Sequence, residues 1–217
     1  KIKGPSKDDK KGNIIHVKDL EKDGWITNKN IKSDGSELAQ KGGQITILGD
    51  NEFPSTFRNI GKDSRSQVNS LMSGLQYETL LSFNYEKLEW EPGLATHWKI
   101  SEDSLTYWFR LNPNAKWADG RDVSTEDIIA TFKLLIDDGH QDPNTSSFWD
   151  DLFETPVAET KYIVKVIAKK KDWRTFKYFA HGFSVYPSLY LNKVDGAGFL
   201  EKYDFSFMPG SGPYEYD

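Results

Sequence analysis

Apolar side chains recur at every second residue between positions 96 and 111, which is the period of a β-strand. The alternation is interrupted at residues 101–104, where the sequence Ser-Glu-Asp-Ser favours a polar turn. The pattern therefore predicts a β-hairpin. Its apolar faces carry Thr96, Trp98 and Ile100 on the first strand and Leu105, Tyr107, Phe109 and Leu111 on the second.

A helical period follows the hairpin, after a turn at Asp119-Gly120. Ser124 is the predicted N-cap, and Asp127, three residues on, is placed to accept a hydrogen bond from the Ser124 amide, as in a capping box. Gly139 is expected to end the helix. Spacings of three and four residues define the stripe that we expect to be buried: Ile128, Ile129, Phe132, Leu135 and Ile136.

Shorter patterns predict the remaining elements. Helical spacing covers residues 64–75, 147–153, 173–180 and 197–203, and strand-like alternation covers residues 44–48, 80–83, 88–90 and 162–168. The first of these helices is expected to bury Val68, Leu71, Met72 and Leu75.

Three segments lack a regular period. Residues 142–144, Asp-Pro-Asn, are expected to form a loop, and residues 185–191, interrupted by Pro187, an irregular edge segment. Residues 1–41 are polar, and only two apolar patches, at 14–17 and at Trp25-Ile26, are expected to dock part of this arm on the folded body.

Composition narrows the function classes. With 217 residues, 37% hydrophobic and 14% aromatic, the chain can bury a core, and it mixes helical and strand patterns. A net charge of −5 argues against a nucleic-acid partner, and the absence of cysteine excludes disulfides and thiolate chemistry. No apolar run approaches the ~20 residues that a membrane span needs.

Several motifs follow one another in a fixed order: Tyr77-Glu78-Thr79-Leu80, Pro92 to Trp98, Ser101 to Leu111, and Trp117 to Ile128, with Gly42-Gly43 before them and Gly210-Ser211-Gly212-Pro213-Tyr214 after them. The ordered set resembles the extracellular solute-binding proteins of the peptide/nickel class, family 5, which are receptor subunits of bacterial ABC importers. One departure is Thr79, at a turn position where the family usually has proline.

The resemblance implies a mixed α/β (α+β) fold: a type II periplasmic-binding-protein lobe with an inserted smaller α+β subdomain. The implied divisions are a polar arm (1–41), the first strand and cleft loop of lobe I (42–62), the subdomain (63–204), and a return into the core of lobe I (205–217). Because such receptors are much longer, we expect the chain to be an amino-terminal portion that lacks the second lobe.

The implied function is that of a receptor that captures oligopeptides or a similar small solute by closure of two lobes and delivers it to a membrane permease. The resemblance implies a monomer in the periplasm or another extracytoplasmic space. The polar opening, without an initiator methionine, implies a removed leader and leaves a lipid anchor open. The alternative, favoured by aromatic content and acidity, is a secreted carbohydrate-binding module or glycosidase appendage.

No pattern indicates catalysis, a metal site or a cofactor. The four histidines, His16, His97, His140 and His181, lack the spacing that metal ligation favours. The adjacent acidic pairs 126–127 and 137–138 fall at the start and end of the predicted helix. Neither a nucleophile elbow nor a phosphate-binding loop is present, so the chain is not expected to be an enzyme.

The candidate ligand-binding residues come from the resemblance. Asn51, Glu52 and Phe53 correspond to the first cleft-facing loop of the family, where the Glu52 carboxylate would meet a peptide's terminal ammonium or would be an ordinary surface group. Phe148 and Trp149 correspond to a segment that helps to wall the cleft. The other tryptophans of the patterned segments are expected in the core: Trp90, Trp98, Trp108, Trp117 and Trp173.

Overall fold

The computed structural model describes residues 23–29, 38, 40, 42–44, 46 and 53–214. The predicted strand at 44–48 and the apolar patch at 14–17 therefore lie largely or wholly outside the described residues. Within them, the helices are α1 (Gln67–Gln76), α2 (Thr125–Leu135), α3 (Pro143–Leu152), α4 (Thr175–His181), α5 (Ser188–Leu191) and α6 (Gly196–Lys202). The strands are β1 (Leu81–Asn84), β2 (Glu89–Pro92), β3 (Ala95–Ile100), β4 (Thr106–Leu111), β5 (Val157–Ala158) and β6 (Ile163–Ile167).

The predicted hairpin is confirmed, and it forms one side of a four-stranded antiparallel sheet of order β3-β4-β6-β5, with β3 at the edge. Trp98 pairs with Phe109 across the hairpin, and Phe109 pairs with Val164 on the next strand. A separate two-stranded sheet joins β1 to β2. None of the described helices has both the length and the apolar character required to cross a membrane.

Part of the amino-terminal arm extends the four-stranded sheet. The Ile26 amide donates to the Trp98 carbonyl at 2.7 Å, and the Trp98 amide donates to the Ile26 carbonyl at 3.0 Å. The Thr27 hydroxyl adds a bond to the Thr96 carbonyl at 2.8 Å. These bonds satisfy backbone groups at the edge of β3 that would otherwise face solvent, so the expected docking of Trp25-Ile26 is confirmed.

Aromatic rings fill the space between the sheet and its covering helices. Phe109 of β4 stacks on Phe176 and Phe179 of α4, with ring centroids 5.7 and 5.9 Å apart. Phe132 of α2 lies 6.2 Å from Phe179. Full burial of one such ring stabilises the fold by about 1.5–3 kcal/mol, so this cluster is a major part of the core.

The Asp127 carboxylate joins three elements inside the protein. It is 3% exposed and accepts hydrogen bonds from the Ser124 amide at 2.8 Å, the Ser188 amide at 2.7 Å and the Trp117 indole at 3.3 Å. The predicted capping box is therefore confirmed. The Ser188 bond also starts α5, which is why residues 188–191 are helical although an irregular segment was predicted there.

Two predicted helix boundaries are wrong, because at each one an aspartate side chain accepts hydrogen bonds from backbone amides. Helix α2 ends at Leu135, before Gly139, because the Asp137 carboxylate accepts the amides of Gly139 and Gly196, each at 2.8 Å, and holds a 3₁₀ turn. The predicted loop at 142–144 is the start of α3. The Asp142 side chain caps this helix by accepting a hydrogen bond from the Thr145 amide. Pro143 lies in the first turn, where its missing N–H group costs no hydrogen bond within the helix.

Helix α1 buries a polar face. It begins after the N-cap Ser66, and its buried residues are Asn69, Ser73 and Gln76. The apolar stripe that we predicted to be buried is half-buried at Val68, Met72 and Leu75, and Leu71 is 41% exposed. The helix is confirmed, but the prediction of its buried face is wrong, because hydrogen bonds rather than apolar contacts fix the inner side.

The segment Gly210-Ser211-Gly212 covers the carboxyl end of α1. The amides of Ser211 and Gly212 both donate to the Gln76 carbonyl, at 3.0 and 2.8 Å, and so satisfy a group that the helix itself leaves free. A Cβ atom at Gly210 would lie 2.4 Å from that same carbonyl oxygen. Glycine is therefore required by the close approach of the two backbones.

Glu78 lies at the same junction. Its amide donates to the Ser211 hydroxyl at 3.2 Å. Burial raises the pKa of the Glu78 carboxyl, and a hydrogen bond from Ser211 only partly offsets that rise. The folded state thus disfavours the ionised form of this side chain.

Substitution of Asp127 by alanine should lower the free energy of unfolding by about 3 kcal/mol, because it removes a cap and leaves buried N–H donors without an acceptor. Glu126→Ala, at an exposed position of the same helical turn, is the matched control and should cost about 0.3–1 kcal/mol. Urea denaturation measures both; equal losses would contradict the role given to Asp127.

Gly210→Ala should destabilise the protein, because the added methyl group would overlap the end of α1. Gly74→Ala provides a control of opposite sign: it lies inside α1, its Cβ would meet nothing within 4 Å, and alanine there should stabilise by about 0.5–1 kcal/mol. Thermal unfolding distinguishes them, and a stable Gly210→Ala variant would disprove the close packing.

Glu78→Gln should stabilise the protein at neutral pH. The pKa of Glu78 is higher in the folded state than its ordinary value of 4.5, so between these two values the unfolded state binds fewer protons and stability falls as the pH rises. Glutamine removes this loss, and the two proteins should be nearly equally stable below pH 4.5. A stability difference that stays constant across pH would contradict this account.

Candidate functional site

Two segments distant in sequence meet beside α1. The Thr56 hydroxyl and the Phe57 amide both donate to the Asp204 carbonyl, at 2.8 and 2.7 Å. Further along, the Tyr77 hydroxyl donates to the Met208 carbonyl at 2.7 Å and accepts from the Met208 amide at 3.2 Å. The chain that enters α1 and the chain that leaves α6 are thus fastened side by side.

Arg58 holds this junction from the inside. Arg58 is 9% exposed. Its guanidinium donates to the Ile60 carbonyl at 3.3 Å and to the Lys62 carbonyl at 3.1 Å. It also donates to the Asp204 carboxylate at 3.2 Å. A buried cation needs such partners, because an unpaired charge in the interior is costly. Arg58 therefore fixes the backbone around which the neighbouring rings are arranged.

Four phenylalanines from the two segments form one surface, which we call the phenylalanine cluster: Phe53, Phe57, Phe205 and Phe207. Phe57 is at its centre, with ring centroids 5.6 Å from Phe53, 5.3 Å from Phe205 and 5.3 Å from Phe207. Phe53 is 77% exposed and Phe205 is 51% exposed. Rings that contact each other and still face outward offer apolar area to another molecule or domain.

A polar depression of about 340 Å³ lies next to the junction. Its lining comes from the segment before α1, the first turns of α1 and the start of α3: Asn59, Ser64, Arg65, Ser66, Ser70, Asp142 and Thr145. Arg65 pairs with Asp142 at 3.3 Å across it. This region presents hydroxyl, amide and charged groups, and Asn59 in its lining follows Phe57 by two residues.

Tyr77, which is hydrogen-bonded to Met208 at the junction, packs against the ring of Tyr186. Their ring centroids are 4.5 Å apart. Burial raises the pKa of Tyr186 to about 12, a rise that hydrogen bonds with Ser73 and Asn59 oppose. The phenol therefore stays neutral at physiological pH and acts as a packing and hydrogen-bonding group.

The five predicted site residues occupy different situations. Asn51 and Glu52 lie outside the described residues, immediately before Phe53, which belongs to the phenylalanine cluster. Phe148 is 39% exposed and packs edge-on against Tyr178, at 5.1 Å. Among the described residues, no ring contact joins Phe53 to Phe148.

Trp149 is a core residue in this structure. It is 5% exposed, and its ring contacts Phe132, Phe153, Phe179 and Phe183. Little of its own surface is therefore accessible in this structure. Trp173, expected in the core, is 84% exposed, and that expectation is wrong because α4 begins only at Thr175.

Sequence reasoning missed Phe57, Phe205, Phe207 and the Arg58–Asp204 pair. A local signal was present in the alternation Phe205-Ser206-Phe207, but the partner of this segment is almost 150 residues earlier in the chain. One sequence does not show such a pairing. Among the described residues, no group of three or more His, Cys, Asp or Glu side chains could hold a metal ion.

Comparison of the sequence with known protein families gives a match over more than half of the chain. Residues 89–217 match the family model of bacterial extracellular solute-binding proteins, family 5 Middle. The dipeptide-binding protein DppE of Bacillus subtilis is 30% identical over 122 residues, which are 52% of this chain and 21% of that protein.

Solved structures agree on the fold. The oligopeptide-binding protein AppA of Bacillus subtilis, in complex with a nonapeptide, superposes with a TM-score of 0.62 at 20% identity, over 71% of this chain and 31% of AppA. A dipeptide-binding protein of Pseudoalteromonas sp. SM9913, in complex with Met-Leu, gives 0.59 at 22% identity, over 76% of this chain and 36% of that protein. The expected mixed α/β fold of a type II periplasmic binding protein is confirmed.

The chain spans about a fifth to a third of the length of these relatives. The family match covers more than half of the chain, including the hairpin, α2 and the glycine-rich segment at 210–212. The chain therefore belongs to the bacterial extracellular solute-binding proteins of family 5.

Proposed function

We propose that this chain is part of the substrate-binding receptor of an ABC importer, and that it contributes one wall of a cleft that binds oligopeptides or a similar small solute. The observation that carries the proposal is the phenylalanine cluster. Its rings project from the two segments that flank the subdomain, where a second body of the protein would meet it. Family membership supports the receptor role.

The domain division that we propose also rests on contacts at this junction. We assign residues 63–204 to a subdomain with its own aromatic core, and residues 42–62 and 205–217 to the main lobe from which it is inserted. The hydrogen bonds of Thr56 and Phe57 to Asp204 support this division, because they join the entry and the exit of the subdomain at one place. The apolar stripe of α1 would be covered by the rest of that lobe.

The chemistry near the junction suits a peptide. The phenylalanine cluster would hold an apolar side chain, while the polar depression beside it would hydrogen-bond amide groups directly or through water. We retain Asn51, Glu52 and Phe53 as ligand-facing residues, with the Glu52 carboxylate opposite the peptide's ammonium. Phe148 would contribute only its exposed edge, with Trp149 as its support.

The mechanism that fits this arrangement is closure of two lobes around the solute, followed by delivery to a membrane permease. In that role the protein needs no cofactor and carries out no covalent step. We place it in an extracytoplasmic space, as a monomer, tethered by a lipid or free. The names of the matched relatives support peptides as the solute class.

The role of the phenylalanine cluster can be tested by peptide titration of the complete two-lobed protein carrying Phe53→Ala and Phe205→Ala. Loss of two apolar rings from the cleft wall should weaken binding of an apolar peptide at least tenfold, since about 1.4 kcal/mol corresponds to a factor of ten. Calorimetry with one defined peptide gives the dissociation constants.

Tyr85→Ala is the matched control, because Tyr85 is 64% exposed on the turn between β1 and β2 and its loss should leave affinity unchanged. If the cluster variant binds as tightly as the wild type, the cluster is not part of the cleft. If both variants and the wild type bind sugars and no peptide, the receptor assignment stands and the peptide assignment falls.

A further inference from the structure

The loop between β6 and α4 carries an isolated, protruding tryptophan. Trp173 is 84% exposed. The guanidinium of the neighbouring Arg174 lies over its ring, 5.9 Å from the centroid. An indole in water forgoes the stabilisation that burial of such a large ring supplies. The family's receptor chemistry, as proposed above, makes no use of this residue.

Positive charge is concentrated around Trp173. Five of the nine residues from 169 to 177 are Lys or Arg and one is acidic, in a chain whose net charge is −5. The basic residues are Lys169, Lys170, Lys171, Arg174 and Lys177. A local field of this sign, opposite to that of the whole molecule, selects for an anionic partner.

Nearby acids neutralise only part of this charge. Lys169 pairs with Asp150 at 3.3 Å, and Arg174 pairs with Asp172 at 2.7 Å. Lys171 interacts at longer range with Asp103. The pKa of Asp103 is lowered mainly by a hydrogen bond from Ser101, and this lysine adds only a small part of the lowering. Within the described part of the chain, Lys170 and Lys171 form no ion pair, and both are exposed.

The turn between β1 and β2 extends the same surface. Lys177 lies over the rings of Phe83 and Tyr85, at 5.6 and 5.3 Å. Tyr85 is 64% exposed, and Leu88, on the same turn, is 74% exposed. Apolar and amphipathic side chains thus project beside the lysines from a second segment.

We propose that this surface, formed by residues 169–177 and the turn at 85–88, docks on an anionic lipid membrane. Tryptophan and tyrosine favour the headgroup region, and lysine side chains extend their charge to lipid phosphates while their stems remain on apolar surface. Trp173 protrudes from the surface, which suits a soft, deformable lipid surface better than a rigid protein partner. Such docking would concentrate the protein where an importer is located.

Cosedimentation of the full chain with lipid vesicles tests the proposal. Binding is expected to vesicles that contain phosphatidylglycerol and not to vesicles of pure phosphatidylcholine, and it should fall as salt is added. The double variant Lys170→Glu, Lys171→Glu should bind at least fivefold more weakly for each lysine changed. Trp173→Ala should also bind more weakly and should lose the blue shift of tryptophan emission on vesicle addition.

The matched control is the double variant Lys133→Glu, Lys193→Glu, which makes the same change in net charge at exposed positions outside this surface and should bind vesicles like the wild type. Circular dichroism melting verifies that each variant is folded. Absence of binding to phosphatidylglycerol vesicles would overturn the proposal, as would an equal loss in the control variant. Recognition of an acidic protein without any vesicle binding would overturn it too.

Discussion

The buried carboxylate of Asp127 is the constraint around which the helices that cover the sheet are organised. It lies at the start of α2, where the helix leaves free N–H groups, and it also accepts hydrogen bonds from the backbone of α5 and the indole of Trp117. The Thr131 hydroxyl continues this connection one turn later, by accepting from the Tyr186 amide at 2.9 Å. These bonds fix the helical layer against which the aromatic core packs.

Hydrogen bonds of the same kind join the segment before α1 to the segment after α6. Arg58 donates to carbonyls on one segment and to Asp204 on the other, and the glycine-rich segment supplies two amides to the end of α1. In each case a charged group or an unpaired backbone group at an element's end is satisfied by a segment far away in sequence. The position of the phenylalanine cluster follows from these bonds, because its rings project from the backbones that they hold.

Local patterns predicted the elements whose stability is itself local. The hairpin at 95–111 and the capping box of Ser124 and Asp127 depend on neighbours within a few residues, and both are found. The inner face of α1 and the end of α2 depend on partners more than 50 residues away, such as Met208 for Gln76 and Gly196 for Asp137. The period of apolar residues does not report such hydrogen bonds.

Tryptophan burial shows the same limit for the candidate site. Trp149 was assigned to the cleft wall by resemblance and Trp173 to the core by helical spacing, yet Trp149 packs among core rings and Trp173 is exposed. A shift of two residues in the start of α4 is enough to move Trp173 from the inner face to the surface. Phe53 was the predicted residue that the structure places in an outward-facing cluster, and its partners there could not be inferred from spacing.

If this chain forms one wall of a peptide-binding cleft, as we propose, the complete receptor should carry peptides. Native mass spectrometry of the complete receptor, purified without denaturation, can detect them, because a closed cleft retains its ligand. We expect added masses that fragment into short peptides containing apolar residues. A single sugar or metal chelate in their place would contradict the peptide assignment, and so would a receptor that carries no ligand and binds none when offered a peptide pool.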